Sequence, residues 1–156
     1  TPQLWLTVEE RAYANEIPDG AWAVQPGSLG FKAIPTPVWN EVLSEMRARS
    51  IPIVLVGGAQ ERSFLEGLDT TGALDYIGKC SLRETMAVLA KVDRLLAADT
   101  GLVHIAAALG TPTRAAFGRT SASKWGYAKP PHAFIKIEAQ DLSGLSPEAY
   151  MEIAFG

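Results

Sequence analysis

The sequence predicts an α/β fold: an open parallel sheet with helices on both faces. Two patterns carry that expectation. Short strand-like apolar runs alternate along the chain with longer segments whose apolar residues recur at helical spacing, which is the signature of successive βαβ units. Several of the longer segments also open with a recognisable helix start, namely Thr7 with Glu10, Thr36-Pro37, Ser81 with Glu84, and Ser146-Pro147. The size agrees with one such domain. A chain of 156 residues, 47% hydrophobic and 20% charged, suffices for a real core and falls short of two full domains.

In chain order, an extended Leu4–Leu6 leads into a helix opened by the Thr7/Glu10 capping box and reaching about Asn15, and Asp19-Gly20 makes a turn. Ala21–Gln25 reads as the first strand and Pro26–Thr36 as a glycine- and proline-rich loop. Thr36 is the N-cap of the next helix, with Pro37 at the first helical position, and that helix buries Val38, Trp39, Val42, Leu43 and Met46. Ile53–Val56 is all apolar with three β-branched residues, as a strand covered on both faces requires, and it runs directly into Gly57-Gly58. A helix from about Gln60 to Leu68, a strand around Tyr76-Ile77 and a capped helix from Ser81 to Lys91 follow. Leu95–Ala98 is a strand, Asp99-Thr100-Gly101 a tight turn, and Leu102–Leu109 a helix closed by Gly110 with Pro112 beyond it. Arg114–Phe117 is the next strand, Gly118–Pro131 a long polar loop, Phe134–Ile137 the last strand, and Ser146-Pro147 caps the C-terminal helix.

Composition excludes several classes of function. A net charge of −3 and an isoelectric point near 5.4 lack the basic excess of a general nucleic-acid binder. The single cysteine, Cys80, excludes an internal disulfide and a cysteine-rich metal site. It precedes a helix N-terminus, but no nearby histidine supports it as a nucleophile. The longest nearly apolar run, Arg94 to Leu109, is broken by Asp99 and His104 and is not a membrane span. No signal-peptide pattern opens the chain, so a cytoplasmic protein is expected.

In such a sheet, ligands bind outside the carboxyl ends of the strands. Four loops qualify: Gln25-Pro26-Gly27-Ser28 with Lys32, Gly57-Gly58-Ala59-Gln60-Glu61, Gly78-Lys79-Cys80-Ser81, and Asp99-Thr100-Gly101 with His104. The last of these is the most informative. Gly101 removes a side chain where a phosphate would approach backbone N–H groups, and the following helix aims its positive dipole end at the same place. His104 in the first turn is in reach of a phosphate or a sugar hydroxyl, and Asp99 is an acceptor for hydroxyls. The alternative is that Asp99 or Thr100 merely caps the helix and His104 is a satisfied core or surface histidine.

The stretch Asp99-Thr100-Gly101-Leu102-Val103-His104-Ile105-Ala106-Ala107-Ala108-Leu109-Gly110-Thr111-Pro112 resembles the signature of the heptosyltransferase-type glycosyltransferases, glycosyltransferase family nine. The similarity extends to Phe117-Gly118 and upstream to Pro26-Gly27-Ser28 with Lys32, Trp39, Gly57-Gly58-Ala59-Gln60-Glu61, and Gly78-Lys79 with Ser81-Leu82. It spans Ala21 to Thr120 in the family's order and approximate spacing.

The resemblance implies the Rossmann-like C-terminal, nucleotide-sugar-binding half of a two-domain GT-B enzyme, occupying 1–156 as a single donor-binding domain. An N-terminal acceptor domain would lie outside this chain and supply the general base, an aspartate in this family. The implied donor is ADP-heptose and the implied acceptor a glycan or lipid-linked lipopolysaccharide core. Transfer inverts the anomeric centre without a metal or other cofactor, in the cytoplasm or at the periphery of the inner membrane. By the same resemblance, Ser28 and Lys32 are diphosphate contacts and Glu61 a ribose contact. Asp99 and His104 line the sugar and phosphate, and Thr100 and Gly101 supply backbone N–H donors. Alone, the chain is expected to bind donor without turnover, and an exposed interdomain face would favour a homodimer.

The sequence departs from the family pattern after Lys32, where Ala33-Ile34-Pro35 replaces a basic residue, Trp and Pro, and after Gly118, where Arg119 precedes Thr120. Two other readings stay open: a nucleotide-sugar epimerase-like GT-B relative, and a non-catalytic nucleotide-sugar binding module. A dinucleotide dehydrogenase is disfavoured, since no Gly-x-Gly-x-x-Gly follows either of the first two core strands. From Thr100 to Ile137 there is no acidic residue, yet Arg114, Arg119, Lys124, Lys129 and Lys136 occur there, a local positive field suited to an anionic ligand. Trp5, Trp22 and Trp39 are expected in the core, and Trp125 at a ligand or partner surface.

Overall fold

Thr7 opens the first helix, α1 (Val8–Ala12), by a complete capping box: its hydroxyl accepts from the Glu10 N–H, and the Glu10 carboxylate accepts from the Thr7 N–H. The computed structural model describes residues 5–28, 33–98, 100–117, 133–136 and 144–156. After α1 come strand β1 (Trp22–Val24), helix α2 (Thr36–Ala48) and strand β2 (Ile53–Leu55). A 3-10 helix (Ala59–Leu65), strand β3 (Leu74–Asp75), helix α3 (Leu82–Lys91) and strand β4 (Arg94–Ala98) follow. Helix α4 (Gly101–Leu109), strands β5 (Thr113–Phe117) and β6 (Ala133–Lys136), and helix α5 (Pro147–Phe155) complete the described chain. The long loop expected at Gly118–Pro131, with Lys124, Trp125 and Lys129, lies outside the described residues.

The strands form one sheet in the order β3-β2-β1-β4-β5-β6, with every pairing parallel. Alternation along the strands divides the core in two. Ala23, Val54, Leu95, Ala97 and Ala115 face Val88 and Leu89 of α3 and Val103 and Ala106 of α4. Val24, Ile53, Leu55, Leu96, Ala98 and Ala116 face α2 and α5. The buried stripe of α2 is Val38, Trp39, Val42, Leu43 and Met46, as its spacing predicts. Trp39 meets Tyr150 edge-on at 5.4 Å between ring centres. Tyr150 is fully buried, donates to the Arg114 carbonyl at 2.9 Å, and is pushed well above the usual phenol range by that burial.

Four expectations are corrected. The cap expected at Thr36 lies one residue earlier, at Pro35, so that Thr36 is the first residue of α2, Pro37 the second, and no side chain caps the helix. Trp5 is 77% exposed rather than in the core; its carbonyl, not its ring, is held, accepting from Arg83 Nη2 at 2.9 Å. The segment expected as a helix from Gln60 to Leu68 is the shorter 3-10 helix, because the Glu61 N–H closes back on the Gly58 carbonyl three residues before it at 2.9 Å. The strand expected at Tyr76-Ile77 is β3, two residues earlier, although the Tyr76 N–H still donates to the Leu55 carbonyl.

Helix α1 is tied to α3 by charge. Arg83 forks onto Glu10, Nε to Oε2 at 2.6 Å and Nη2 to Oε1 at 2.7 Å. That guanidinium, with the Thr7 backbone, holds the Glu10 carboxyl down at about 2. Asp19, Asp69 and Asp75 are lowered as well, chiefly by hydrogen bonds from Lys91, Thr71 and Arg62 respectively. Carboxyls whose folded values are depressed stabilise the fold above their unfolded values, and that contribution is lost as pH falls through the folded ones. Denaturation midpoints are therefore expected to fall between about pH 5 and pH 2, less steeply in Arg83→Gln. An identical slope in Arg83→Gln would show that the Glu10 pair contributes nothing.

Candidate functional site

The connection leaving β1 runs to α2 on one face, and that leaving β4 runs to α4 on the other. β1 and β4 are neighbours, so their carboxyl ends bound the switch-point crevice where open α/β sheets hold ligands. Gln25 follows β1 and is 4% exposed, with its backbone N–H fixed to the Leu96 carbonyl at 2.9 Å. Thr100 follows β4, and its hydroxyl donates to Gln25 Oε1 at 2.6 Å across that crevice.

The other end of the Gln25 amide reaches β2. Nε2 donates to Glu61 Oε1 at 3.0 Å, and Glu61 Oε2 accepts the Gly58 N–H at 2.8 Å. Loops that follow three different strands are thus one hydrogen-bonded ledge. Glycine makes room for it. A Cβ on Gly27 would lie 2.7 Å from the Cβ of Glu61, so only a residue without a side chain lets Glu61 lie against the loop after β1. The fourth loop joins through Gly78, at φ +72°, whose N–H donates to the Gly57 carbonyl at 2.9 Å and whose missing Cβ would meet the Ala59 backbone at 2.8 Å.

Beside the ledge stands the N-terminus of α4. Thr100 has the extended backbone of a cap residue, but its side chain makes no cap hydrogen bond, having turned to Gln25. Thr100 is therefore not a simple side-chain cap. Gly101, the first helical residue, is exposed, and a Cβ there would meet nothing within 4 Å. A helix start of this form favours an anion. His104 lies three residues further, half-buried, on the side of α4 that carries Gly101.

Of the residues singled out by sequence, Glu61, Thr100 and Gly101 come together around the β1/β4 crevice, with His104 one turn into α4. Ser28 shares the loop of Gly27; its Oγ is shielded from solvent and has no hydrogen-bond partner among the described residues. Lys32 and Asp99 lie outside the described residues. No group of three His, Cys, Asp or Glu side chains among the described residues is placed to hold a metal ion. No described helix is long and apolar enough to cross a membrane.

Gln25 is the residue that sequence reasoning missed. It heads the first of the four candidate loops but carries no contact of its own there, although its position is a signal: a polar residue ending the run Ala21-Trp22-Ala23-Val24, directly before Pro26-Gly27. A buried polar side chain at the carboxyl end of a strand needs partners, and here both partners belong to the site.

No curated protein matches the sequence significantly. Among solved structures, the chain superposes on the glycosyl transferase family 9 protein of Veillonella parvula with a TM-score of 0.86 at 18% identity, over 98% of this chain and 52% of that one. It superposes on the ADP-heptose lipopolysaccharide heptosyltransferase II of E. coli with a TM-score of 0.82 at 21% identity, over 99% and 52%. For the E. coli heptosyltransferase WaaC, solved with ADP, the TM-score is 0.77 at 23% identity, over 94% and 48%. The chain thus spans about half the length of these structures, and their likeness at such identities establishes the fold. The sequence itself matches the family model described as glycosyltransferase family 9 (heptosyltransferase) over residues 5–145. With that match covering most of the chain, and with the ledge and helix start built from the segments that carry the resemblance, this chain belongs to glycosyltransferase family 9.

Proposed function

We propose that the chain is the nucleotide-sugar-binding part of an inverting, metal-independent glycosyltransferase whose donor is ADP-heptose and whose acceptor is a lipopolysaccharide core or related glycan. The observation that carries this reading is the pairing of two chemistries at one crevice. The Thr100–Gln25–Glu61 ledge offers hydrogen-bond acceptors suited to hydroxyl groups, and the start of α4 beside it offers backbone N–H groups and a dipole suited to a diphosphate. A nucleoside diphosphate sugar presents both groups together.

In this reading the diphosphate lies at Gly101, with Ser28, Lys32 and His104 around it, and Glu61 takes the ribose. Asp99 and His104 line the transferred sugar. Inverting transfer needs a base for the acceptor hydroxyl and stabilisation of the departing diphosphate. This chain supplies the second, through Lys32, His104 and the α4 dipole. The base comes from a preceding acceptor domain, as the half-length match to the relatives suggests. The exposed Trp5, Val8 and Leu82 give that domain, or a second copy of this chain, an apolar surface to cover.

Calorimetric titration of the chain with ADP-heptose, ADP, UDP, GDP and NAD tests the reading. ADP-heptose and ADP are expected to bind best, and His104→Ala and Lys32→Ala each to weaken them by about tenfold, the loss of one charge-assisted contact. Preference for UDP or GDP would overturn the ADP-heptose assignment. A chain that binds no nucleotide would sink the donor-site reading altogether.

A further inference from the structure

The hydrogen bonds of the ledge have a direction, and Gln25 sets it. An ionised carboxylate only accepts, so Glu61 Oε1 selects the nitrogen end of the Gln25 amide, 3.0 Å away. The opposite orientation would set the amide oxygen against the carboxylate. The carbonyl end is then left facing Thr100, 2.6 Å away, and can only accept. The single hydroxyl proton of Thr100 is consumed in that bond. What Thr100 Oγ has left for any ligand is lone pairs. Glu61 is in the same condition: Oε1 and Oε2 each already take one N–H, from Gln25 and from Gly58, and each retains acceptor capacity only. Gln25 is 4% exposed, so its own amide faces the protein rather than a ligand.

We propose that Gln25 is a positioning and specificity-determining residue: by fixing the Glu61 carboxylate and accepting the hydrogen bond of the Thr100 hydroxyl, it makes this side of the crevice an all-acceptor surface that binds ligand hydroxyls and turns away phosphate oxygens. The inference rests on the donor-site reading above and deepens it. Phosphate is directed to the backbone of α4 because the neighbouring hydroxyl, which would otherwise donate to it, has no proton to give. The Thr100 side chain therefore contributes nothing to diphosphate affinity, and discrimination for a hydroxyl-bearing ligand depends on a residue that touches no ligand.

The test compares ADP with 2′,3′-dideoxy-ADP by calorimetry on the 156-residue chain and on two near-isosteric variants, Gln25→Met and Thr100→Val, with thermal midpoints recorded for each. The native chain is expected to prefer ADP by about tenfold or more, the worth of one or two hydrogen bonds to a charged acceptor. Gln25→Met should reduce that preference to about threefold or less by weakening ADP, with dideoxy-ADP unchanged or strengthened, since the freed Thr100 hydroxyl can then donate to phosphate. Thr100→Val should leave dideoxy-ADP affinity within about threefold of native. A Gln25→Met chain that keeps the full preference, or that weakens both nucleotides equally, overturns the proposal. So does a tenfold loss of dideoxy-ADP affinity in Thr100→Val, which would mean the hydroxyl donates to phosphate; that measurement decides the matter even if Gln25→Met does not fold. ADP binding without preference over the dideoxy analogue would overturn the inference alone. A native chain that binds neither nucleotide would overturn the donor-site reading and this inference with it.

Discussion

Gly101→Ala is expected to lower the affinity for ADP by at least about tenfold, equivalent to about 1.4 kcal/mol, while leaving the thermal midpoint unchanged or slightly raised. The two effects separate because Gly101 is not conserving a backbone shape. Its φ lies outside the left-handed region, it is the first residue of α4, and an added Cβ would touch no protein atom within 4 Å. Alanine is the better helix former by up to about 1 kcal/mol in a helix interior, so the fold has nothing to lose. A Cβ at a helix start points back past the N-terminus, into the space where a phosphate must come to reach the first-turn amides. Gly110→Ala is the opposite case. Gly110 closes α4 at φ +81°, and alanine there should cost about 1 to 2 kcal/mol of stability without altering affinity. If Gly101→Ala and Gly110→Ala change affinity equally, the α4 start is not the anion site.

What was legible in the sequence was whatever is encoded locally. The caps at Thr7, Ser81 and Ser146 are found with the hydrogen bonds their spacing implies, since a capping side chain accepts from an N–H only three residues on. The face of α2 follows from a 3.6-residue period, and the burial of Ile53–Leu55 from an unbroken apolar run. Local encoding also explains the failures. The neighbours of Glu61 permit an α-helix, but its side chain folds back to the Gly58 N–H while Arg62 next to it is drawn across to Asp75 at 2.8 Å and the Ile77 carbonyl at 2.8 Å. Those partners belong to the neighbouring strand β3 and its exit, and they compete with a regular helix. Hydrophobicity alone predicts a core position for Trp5, and it does not say whether a short first helix leaves anything for an indole to pack against.

The site was legible in its parts and not in its wiring. Glycines, a threonine and an acid at strand ends marked the loops. Nothing in the periodicity says that the strand ending at Val24 lies beside the one ending at Ala98, and only that adjacency brings Thr100 to Gln25 across 75 positions of sequence. The family resemblance supplied the residues of the loops but gave Gln25 no role. Its importance appears only when the amide is found with a carboxylate on one end and a hydroxyl on the other.

The second large effect is expected at Gly27, where stability and binding should fall together. A methyl group placed there would lie 2.7 Å from Glu61 Cβ, 2.9 Å from Cγ and 2.8 Å from Oε1, closer than carbon and oxygen atoms pack. The contact involves the root of the side chain, so rotating its tip does not relieve it. Glu61 must move away from the loop, and in moving it abandons Gln25 Nε2 and the Gly58 N–H. Gly27→Ala should therefore lower stability by about 1 to 3 kcal/mol, the usual range for overpacking, and weaken ADP about as much as removing the Glu61 carboxylate does. The steric origin has its own signature. Glu61→Ala leaves the offending Cβ in place and should not rescue Gly27→Ala, whereas Glu61→Gly removes it and should return most of the lost stability, less the cost of a second glycine. Affinity for ADP should stay low in the Gly27→Ala/Glu61→Gly double variant, because the carboxylate proposed to read the ligand hydroxyls is gone. Recovery of both stability and affinity there would mean that Glu61 is a packing residue, and that the ledge binds through other groups.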